Sequence, residues 1–263
     1  MPKPKRQYDA LEVGYSRRFA NNYFFSANYT LSRLYGNYSG LASSDEITLP
    51  TTGVGSSTPQ QQSSSIQRPG GNESRSFDLD ELLYDSRGNI VYGRLATDRP
   101  HAVKLYGAYT TKWGTQLGAL FYGASGTPVT TYLETKNTSG GEGPMINGRG
   151  DLGRTPVLTR TDLLINHEIP FGGSRRLRFE LNVTNLFNQK TATYIFNSIN
   201  RGAGVNRPSS AADMANVNLV NGYDPNALIL ATPEGSFALD PRYKMPALFQ
   251  TGTQAFFDIK YIF

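Results

Sequence analysis

Residue types that could carry chemistry are few in this sequence of 263 residues. There is no Cys, which excludes disulfides, thiol catalysis and a Cys-based metal site. The two histidines, His101 and His167, fall on different expected strands, and neither has neighbours that complete a catalytic or metal-binding motif. We therefore expect no enzymatic activity and no shared histidine site.

Three short motifs suggest binding chemistry at first sight. Residues 148–153 match the GxGxxG spacing of nucleotide-binding loops, but Pro156 blocks a following helix and no βαβ unit surrounds them. The acidic stretch 78–85 resembles a calcium loop, although Leu83 stands where that loop needs Gly and Asn89 where it needs Glu. We interpret the first motif as loop turns, and the tripeptide RGD at 149–151 within it as a coincidence. The acidic stretch is interpreted as a solvated loop, with a loosely bound divalent cation as the alternative. We expect no cofactor and no dedicated metal site.

The charge distribution argues against nucleic-acid binding. The net charge of +5 is modest, and Lys and Arg are scattered, as at 17–18 and 175–176. A nucleic-acid-binding protein would present a clustered basic face. We expect these cations to lie at strand ends and in loops.

An alternating pattern of apolar and polar residues is the main structural signal. Leu11, Val13 and Tyr15 would share one strand face, and Tyr23, Phe25, Ala27, Tyr29 and Leu31 one face of the next strand. Hydrophobic residues are only 38% of the chain, and no apolar run of 18 residues exists, which excludes a membrane-spanning helix. A chain that spans lipid would then have to form a barrel, which satisfies its backbone hydrogen bonds internally. The aromatics Phe19, Tyr23, Phe25 and Phe257 suit interface anchoring in such a barrel, with a ligand-stacking platform as the alternative.

The spacing of the strands predicts a sidedness. Seven strands are expected at about 8–18, 23–36, 100–111, 115–125, 157–169, 176–188 and 252–263. Short turns alternate with long polar loops near 37–98, 126–156 and 189–250, as in outer-membrane barrels with short periplasmic turns and long extracellular loops. The fold class is therefore an all-β, antiparallel transmembrane barrel segment with a periplasmic carboxyl terminus. Single-chain bacterial barrels have an even number of strands, and an open sheet of seven strands would leave two edges unpaired in lipid. We therefore expect further strands on the amino-terminal side.

The last ten residues, QAFFDIKYIF, form the most specific pattern. Phe257, Ile259, Tyr261 and Phe263 alternate on one face and end on a terminal aromatic. This resembles the carboxy-terminal signal that the barrel-assembly machinery reads in outer-membrane proteins. An ordinary buried edge strand is the alternative.

Several segments resemble TonB-dependent outer-membrane receptors. They are DRPHAVKLYG at 98–107, SGTPV at 125–129, NGRGDLGRTP at 147–156, RTDL at 160–163 and ELNVTNLFN at 180–188. The last two resemble the penultimate hairpin of that family, and the similarity is greatest to its Oar-like branch, whose members carry a carboxypeptidase-regulatory-like domain. The resemblance implies a 22-stranded, plugged barrel in the cell outer membrane that takes up scarce nutrients.

The resemblance also implies partners. They are outer-membrane lipid, the barrel-assembly machinery, a nutrient ligand of the siderophore, saccharide or peptide class, and the TonB complex through a plug. Residues 1–263 contain no plug and no signal peptide, so we expect a carboxy-terminal fragment that is not competent for transport alone. The alternatives are a soluble or secreted β-sandwich binding module, for example a carbohydrate-binding one, and a small porin-like or adhesin-like barrel.

Overall fold

One large antiparallel sheet dominates the computed structural model of the chain. The structure describes residues 5–37, 84–136, 144–170, 172–173, 175–200, 212–231 and 239–263. In chain order the strands are β1 (Arg6–Ala20), β2 (Tyr23–Gly36), β3 (Gly93–Arg94), β4 (His101–Thr110), β5 (Thr115–Ala124), β6 (Thr135–Lys136), β7 (Leu158–Pro170), β8 (Arg176–Thr184), β9 (Ala192–Ile195), β10 (Ala212–Asp213), β11 (Pro246–Phe249) and β12 (Gln254–Ile262). The large sheet has the order β1-β2-β4-β5-β7-β8-β12, and β3 pairs with the end of β2. This confirms the expected all-β, antiparallel fold with seven long strands, and the sheet is open.

The hairpin turns differ in detail from the expectation. The sequence suggested a turn over residues 18–22, but β1 continues to Ala20 and only Asn21 and Asn22 form the turn. Both asparagines have positive φ, 54° and 67°, which is the backbone of the two-residue turn that matches strand twist. Asn is among the few residues with a side chain that tolerate this conformation.

The sixth long strand is shorter than expected. It was predicted over 176–188, but β8 ends at Thr184. Asn185 follows with φ 51°, which is incompatible with a continuing strand, and its buried side chain is bonded to the loop beyond it. The other six long strands begin and end within two residues of their predicted bounds.

Strand register places most large apolar side chains on one face of the sheet and most polar side chains on the other. Tyr23, Tyr109, Leu117, Ile165, Leu181 and Phe257 are successive register partners across six strands. The adjacent row of partners is polar: Thr110, Gln116, Asn166, Glu180 and Asp258. A slip of one residue in any pairing would mix the two sets, so the register is specified by the alternation itself. We call these the apolar face and the polar face.

The apolar face is bare. Tyr15 is 63% exposed and Phe257 62% exposed, and Leu11, Val13 and Ile259 on the same face are also exposed. The polar face instead carries ion pairs. Arg178 is paired with Glu168, and Lys260 Nζ lies 3.2 Å from a carboxylate oxygen of Glu180. Buried hydrophobic residues lie mainly outside the sheet, in the loops.

The long connections fold against each other. Much of the first expected loop, residues 38–83, lies outside the described residues, but 84–98 is described. The third expected loop, 189–250, contains β9, β10, β11 and a short helix α1 (Pro225–Leu230), capped by Asp224. We call the described parts of the three connections at 84–98, 125–157 and 189–250 the loop layer. No helix in the described ranges is long and apolar enough to cross a membrane.

Candidate functional site: the loop end of the polar face

Asp98 lies where the loop layer meets the sheet. Its side chain is completely buried. It forms ion pairs with Arg94, at 3.3 Å, and with Arg154, and it accepts a hydrogen bond from the backbone N–H of Leu34 in β2 at 2.6 Å. A buried carboxylate is stable only when it is paired and hydrogen-bonded, and here two guanidinium groups and one amide supply this. Asp98 therefore joins the end of β2 to the first and second loops.

Arg154 extends this junction to the end of β5. Its Nη1 donates to the carbonyl oxygens of Asp98 and Gly126, each at 2.8 Å. Gly126 lies so close to the second loop that a Cβ built on it would stand 1.6 Å from the carbonyl oxygen of Thr155. Three separate sequence segments, around residues 98, 126 and 154, thus meet at one point and hold the loop layer on the sheet.

A small hydrophobic core stabilises the loop layer itself. It consists of Leu133 and Ile146 from the second loop and Ala212, Met214 and Ile229 from the third. Ser86 of the first loop donates its N–H to Ile146 and accepts the N–H of Tyr223, so it links all three loops. Burial, together with the charge of Asp85, raises the pKa of Tyr223 to about 12, so its hydroxyl stays protonated at neutral pH. The three loops form one packed body.

Asn185 forms a second junction, between the strands β7 and β8 and the third loop. Its backbone N–H donates to Asp162 at 2.9 Å, and its Nδ2 donates to the carbonyl oxygens of Gln189 and Thr251. Its positive φ, 51°, turns the chain out of the sheet at this point. The segments RTDL and ELNVTNLFN lie on the two strands of one hairpin, and this bond joins them at its loop end.

An open cleft of about 460 Å³ lies between the polar face and the first loop. Its walls come from β1, β2, β4 and β5 and from residues 97–99. The charged residues that line it are Arg6, Glu12, Asp98, Arg99 and Lys104. A cleft of this volume is large enough for a small solute.

The histidines lie apart, as the sequence indicated. His101 is at the loop end, where its Nδ1 is 2.7 Å from the hydroxyl oxygen of Tyr29, and His167 is at the turn end, 2.9 Å from Thr115 Oγ1. Neither lines the cleft. The described residues contain no group of three His, Asp or Glu side chains arranged to hold a metal ion.

The motifs that mimic binding sites have structural roles. Gly148, Gly150 and Gly153 all have positive φ and shape consecutive turns, and no helix follows them. Asp151 accepts hydrogen bonds from Thr131 N–H and Oγ1 and from Asn147 Nδ2. Residues 78–83 of the acidic stretch lie outside the described residues. Asp85, at its end, accepts hydrogen bonds from Arg87 and Asn89 and closes a local turn.

The residues proposed as an assembly signal lie in β12 and directly after it. Phe257 and Ile259 stand opposite Leu181 and Phe179 of β8, and Tyr261 opposite Leu177. Phe257 is stacked near Phe179 with ring centroids 6.4 Å apart, and Phe263 lies beside Tyr261. Tyr23 and Phe25 share the apolar face with Phe257, on the side of the sheet opposite the cleft. That placement favours anchoring over ligand stacking.

Two features of the site were not identified from the sequence. The motif segments around residues 98, 126 and 154 were noticed, but no contact among them was expected. The only signal was their density of Gly, Pro, Asp and Arg, which is typical of structured loops. The cleft combines side chains from four strands and a loop, and no local pattern in the sequence marks it.

Comparison with known proteins gives one informative similarity. The TonB-dependent transporter Oar of Myxococcus xanthus is 32% identical to this chain in an alignment 197 residues long, which covers 71% of this chain and 16% of the transporter. No protein-family model matches the chain. No solved structure matches it. The aligned identity over most of the chain, together with the open antiparallel sheet, supports placing this chain in the family of TonB-dependent receptors.

Proposed function

We propose that the chain forms part of the wall of a TonB-dependent receptor barrel in the outer membrane, and that its loop layer helps to capture the ligand. The observation that carries this proposal is the strand register. It places most large apolar side chains of the seven strands on one bare face and most charged side chains on the other, with Asp9, Arg17 and Arg33 as charged residues near the ends of the apolar face.

The exposed apolar face is suited to contact with lipid. Tyr15, Phe257, Ile259 and other large apolar side chains on this face are exposed, and clustered exposed apolar side chains indicate a surface that contacts a partner or a membrane. Lipid hydrocarbon chains would cover this surface without the free-energy penalty of exposing it to water. Phe19 and Trp113, which are exposed near the turns, would lie at the membrane–water interface. Outer-membrane lipid is therefore the first partner that we propose.

The opposite face fits a wet lumen. Glu168 is paired with Arg176 and Arg178, and Glu180 with Lys260, all within the sheet. Such groups would be costly toward hydrocarbon but are readily solvated in a polar barrel interior. The loop layer would then lie at the extracellular mouth.

The open edges support a larger barrel. Among the described residues, β1 pairs only with β2 and β12 only with β8, which leaves one edge of each without a strand partner. Unpaired edges in lipid would leave backbone groups unsatisfied. The chain also spans only about 16% of the length of the transporter that it matches. We propose that further strands close the barrel, and that a plug outside this sequence connects it to the TonB complex.

The terminal strand would direct assembly. The alternating exposed residues Phe257, Ile259, Tyr261 and Phe263 offer an apolar edge that the barrel-assembly machinery could bind. The alternation of short and long connections would leave Phe263 in the periplasm. We propose a structural and ligand-capturing role and no catalysis.

Fractionation and heat modifiability test this proposal. The complete protein should be extracted from the outer membrane only with detergent, and it should migrate faster in SDS gels before heating than after heating. A protein that stays soluble without detergent would instead support a secreted binding module, in which another sheet or partner covers the apolar face.

A further inference from the structure

We infer that the cleft on the polar face is an anion-binding subsite, which takes a small solute carrying a carboxylate or phosphate group. This inference deepens the proposed function, because it assigns a chemical class to the captured ligand. It rests on the charges, the position and the size of the cleft.

The cleft carries an excess of positive charge. Three cationic side chains line it, those of Arg6, Arg99 and Lys104, against the carboxylates of Glu12 and Asp98. Asp98 contributes little negative charge to the cleft, because it is completely buried and already compensated by Arg94 and Arg154. Glu12 is then the main negative charge in the lining that opposes Arg99 and Lys104.

Lys104 is placed to meet a ligand. It is exposed on the polar face of β4, and among the described residues no carboxylate lies within 4.0 Å of its Nζ. Glu12 is two strands away, in the row of Thr30 and Ala102. Two strand spacings are about 10 Å, so the backbones that carry the two side chains are well separated.

Arg99 is held in position before any ligand arrives. Its Nη1 donates to the carbonyl oxygen of Ser125 at 2.6 Å, and Ser32 Oγ donates to its backbone carbonyl at 2.9 Å. A guanidinium group presents several N–H donors in one plane, so a group anchored by one nitrogen can still offer others to an anion. Prior anchoring reduces the conformational entropy lost on binding.

The remaining lining favours a polar ligand. Tyr8, Thr30 and Tyr122, which carry hydroxyl groups, also line the cleft. Hydroxyl groups bind both anionic oxygens and neutral hydroxyls, so a hydroxylated acid or a sugar phosphate suits this surface. The volume of about 460 Å³ is in the range for a small molecule.

Titration of the purified complete protein with citrate, inorganic phosphate and glucose tests the inference. We expect citrate or phosphate to bind, with an affinity that falls as the ionic strength rises, and glucose to bind far more weakly. Lys104→Gln should weaken anion binding about tenfold, the effect of losing one charge-assisted hydrogen bond. The matched control is Lys260→Gln, which removes a lysine on the same face that is paired with Glu180 outside the cleft, and it should leave the affinity unchanged.

Glu12→Gln is a second test, because it should increase the affinity for anions. Damage to the fold would decrease this affinity and so could not give the same result. Removing the opposing charge should tighten anion binding about twofold to fourfold at low salt. Tighter binding of phosphate alone would identify a phosphate ligand, and tighter binding of citrate alone a carboxylate. The inference is overturned if neither anion binds, or if Lys104→Gln and Lys260→Gln have equal effects. Because the titration can be done on protein from either the membrane or the soluble fraction, its result is independent of the membrane assignment.

Discussion

At the scale of the residue, Asp98 shows how one side chain can hold two parts of the molecule together. Its carboxylate is fully buried, yet it has an amide and two guanidinium partners, each from a different segment. Such a group stabilises the fold only while all its partners remain. The attachment of the loop layer to the sheet therefore depends strongly on a single charge.

Replacing that charge should loosen the loop layer. Asp98→Asn keeps the size of the side chain but leaves Arg94 and Arg154 uncompensated, and we expect a loss of about 2–3 kcal/mol in the free energy of unfolding. The urea midpoint of the detergent-solubilised protein measures this. Asp9→Asn is the control, because Asp9 lies on exposed β1 and its carboxylate accepts hydrogen bonds from the side chain of Gln7. Equal midpoints for the two variants would contradict the role given to Asp98.

Asp85 makes the turn at 85–89 sensitive to pH. Burial disfavours its charged form, but hydrogen bonds from Asn89 and Arg87 outweigh this and lower its pKa below the ordinary 3.8. Since the folded pKa is the lower one, the ionised carboxylate stabilises the turn above the unfolded pKa, and this stabilisation is lost as the pH falls through the folded value.

Hydrogen exchange can detect this titration. At neutral pH the Arg87 and Asn89 amides should exchange more slowly in the native protein than in Asp85→Ala. As the pH falls below the ordinary pKa of 3.8, the protection should converge on that of the variant. If the exchange rates of the native protein and Asp85→Ala differed by the same amount at every acidic pH, the Asp85 carboxylate would not be the group that protects these amides.

At the scale of the element, the end of β5 is held by a close approach of two backbones. The chain at Gly126 leaves no space for a Cβ against Thr155. The contact places Thr127 N–H within 2.9 Å of Thr155 Oγ1 and Thr155 N–H within 2.9 Å of the Thr127 carbonyl. The glycine therefore determines how the second loop folds back on its strand.

Gly126→Ala should displace the second loop. The added methyl group must move the Thr155 carbonyl, which would break the paired bonds and increase cleavage of residues 125–157 by added protease. Gly118→Ala is the matched control in β5, because a Cβ there would lie 3.4 Å from Leu164 Cβ, an ordinary contact. Similar cleavage of both variants would show that the space at Gly126 is not critical.

Strand β12 allows a direct test of the two faces. Phe257→Arg would place a charge on the apolar face, with a cost of about 2–4 kcal/mol toward the middle of a bilayer. Asp258→Arg changes the neighbouring position on the polar face, where Glu180 lies opposite and can pair with the new cation. We expect the first variant to lose the heat-modifiable form in outer membranes and the second to keep it. The reverse result would mean that the faces are assigned the wrong way round.

At the scale of the whole molecule, the two unpaired strand edges are the decisive feature. The proposed function gives each face a solvent, lipid on one side and lumen water on the other, but among the described residues one edge of β1 and one edge of β12 have no strand partner. Exposed edges of this length promote association with other chains. The arrangement is that of a wall segment.

The 263-residue chain produced alone should therefore not form a stable monomer. In detergent we expect it to associate through its edges or to remain sensitive to protease, and both size-exclusion chromatography and limited proteolysis can measure this. A monomeric, protease-resistant and heat-modifiable form would contradict the larger barrel and favour a small complete one. The complete protein, treated in the same way, is the control.

Local patterns in the sequence are sufficient to predict the strands and their two faces. Alternation depends only on residues two positions apart, so Leu11, Val13 and Tyr15, or Phe257, Ile259 and Tyr261, identify a face without knowledge of any partner strand. The short and long connections determined the order of hairpins in the same local way. Even the errors were local, as at Asn185, where a single left-handed residue ended a strand earlier than its apolar neighbours suggested.

The fold of the loops and the position of the cleft depend on contacts between segments that are far apart in the sequence. Asp98 and Arg154 are separated by 56 positions, and nothing near either residue shows that the other compensates its charge. The cleft likewise combines Glu12, Arg99 and Lys104 only because the register of β1, β2 and β4 brings them to one end of the polar face. Compensation of a buried charge and the shape of a cleft depend on which segments meet in space, whereas the alternation that builds a strand is present in every few residues of the chain.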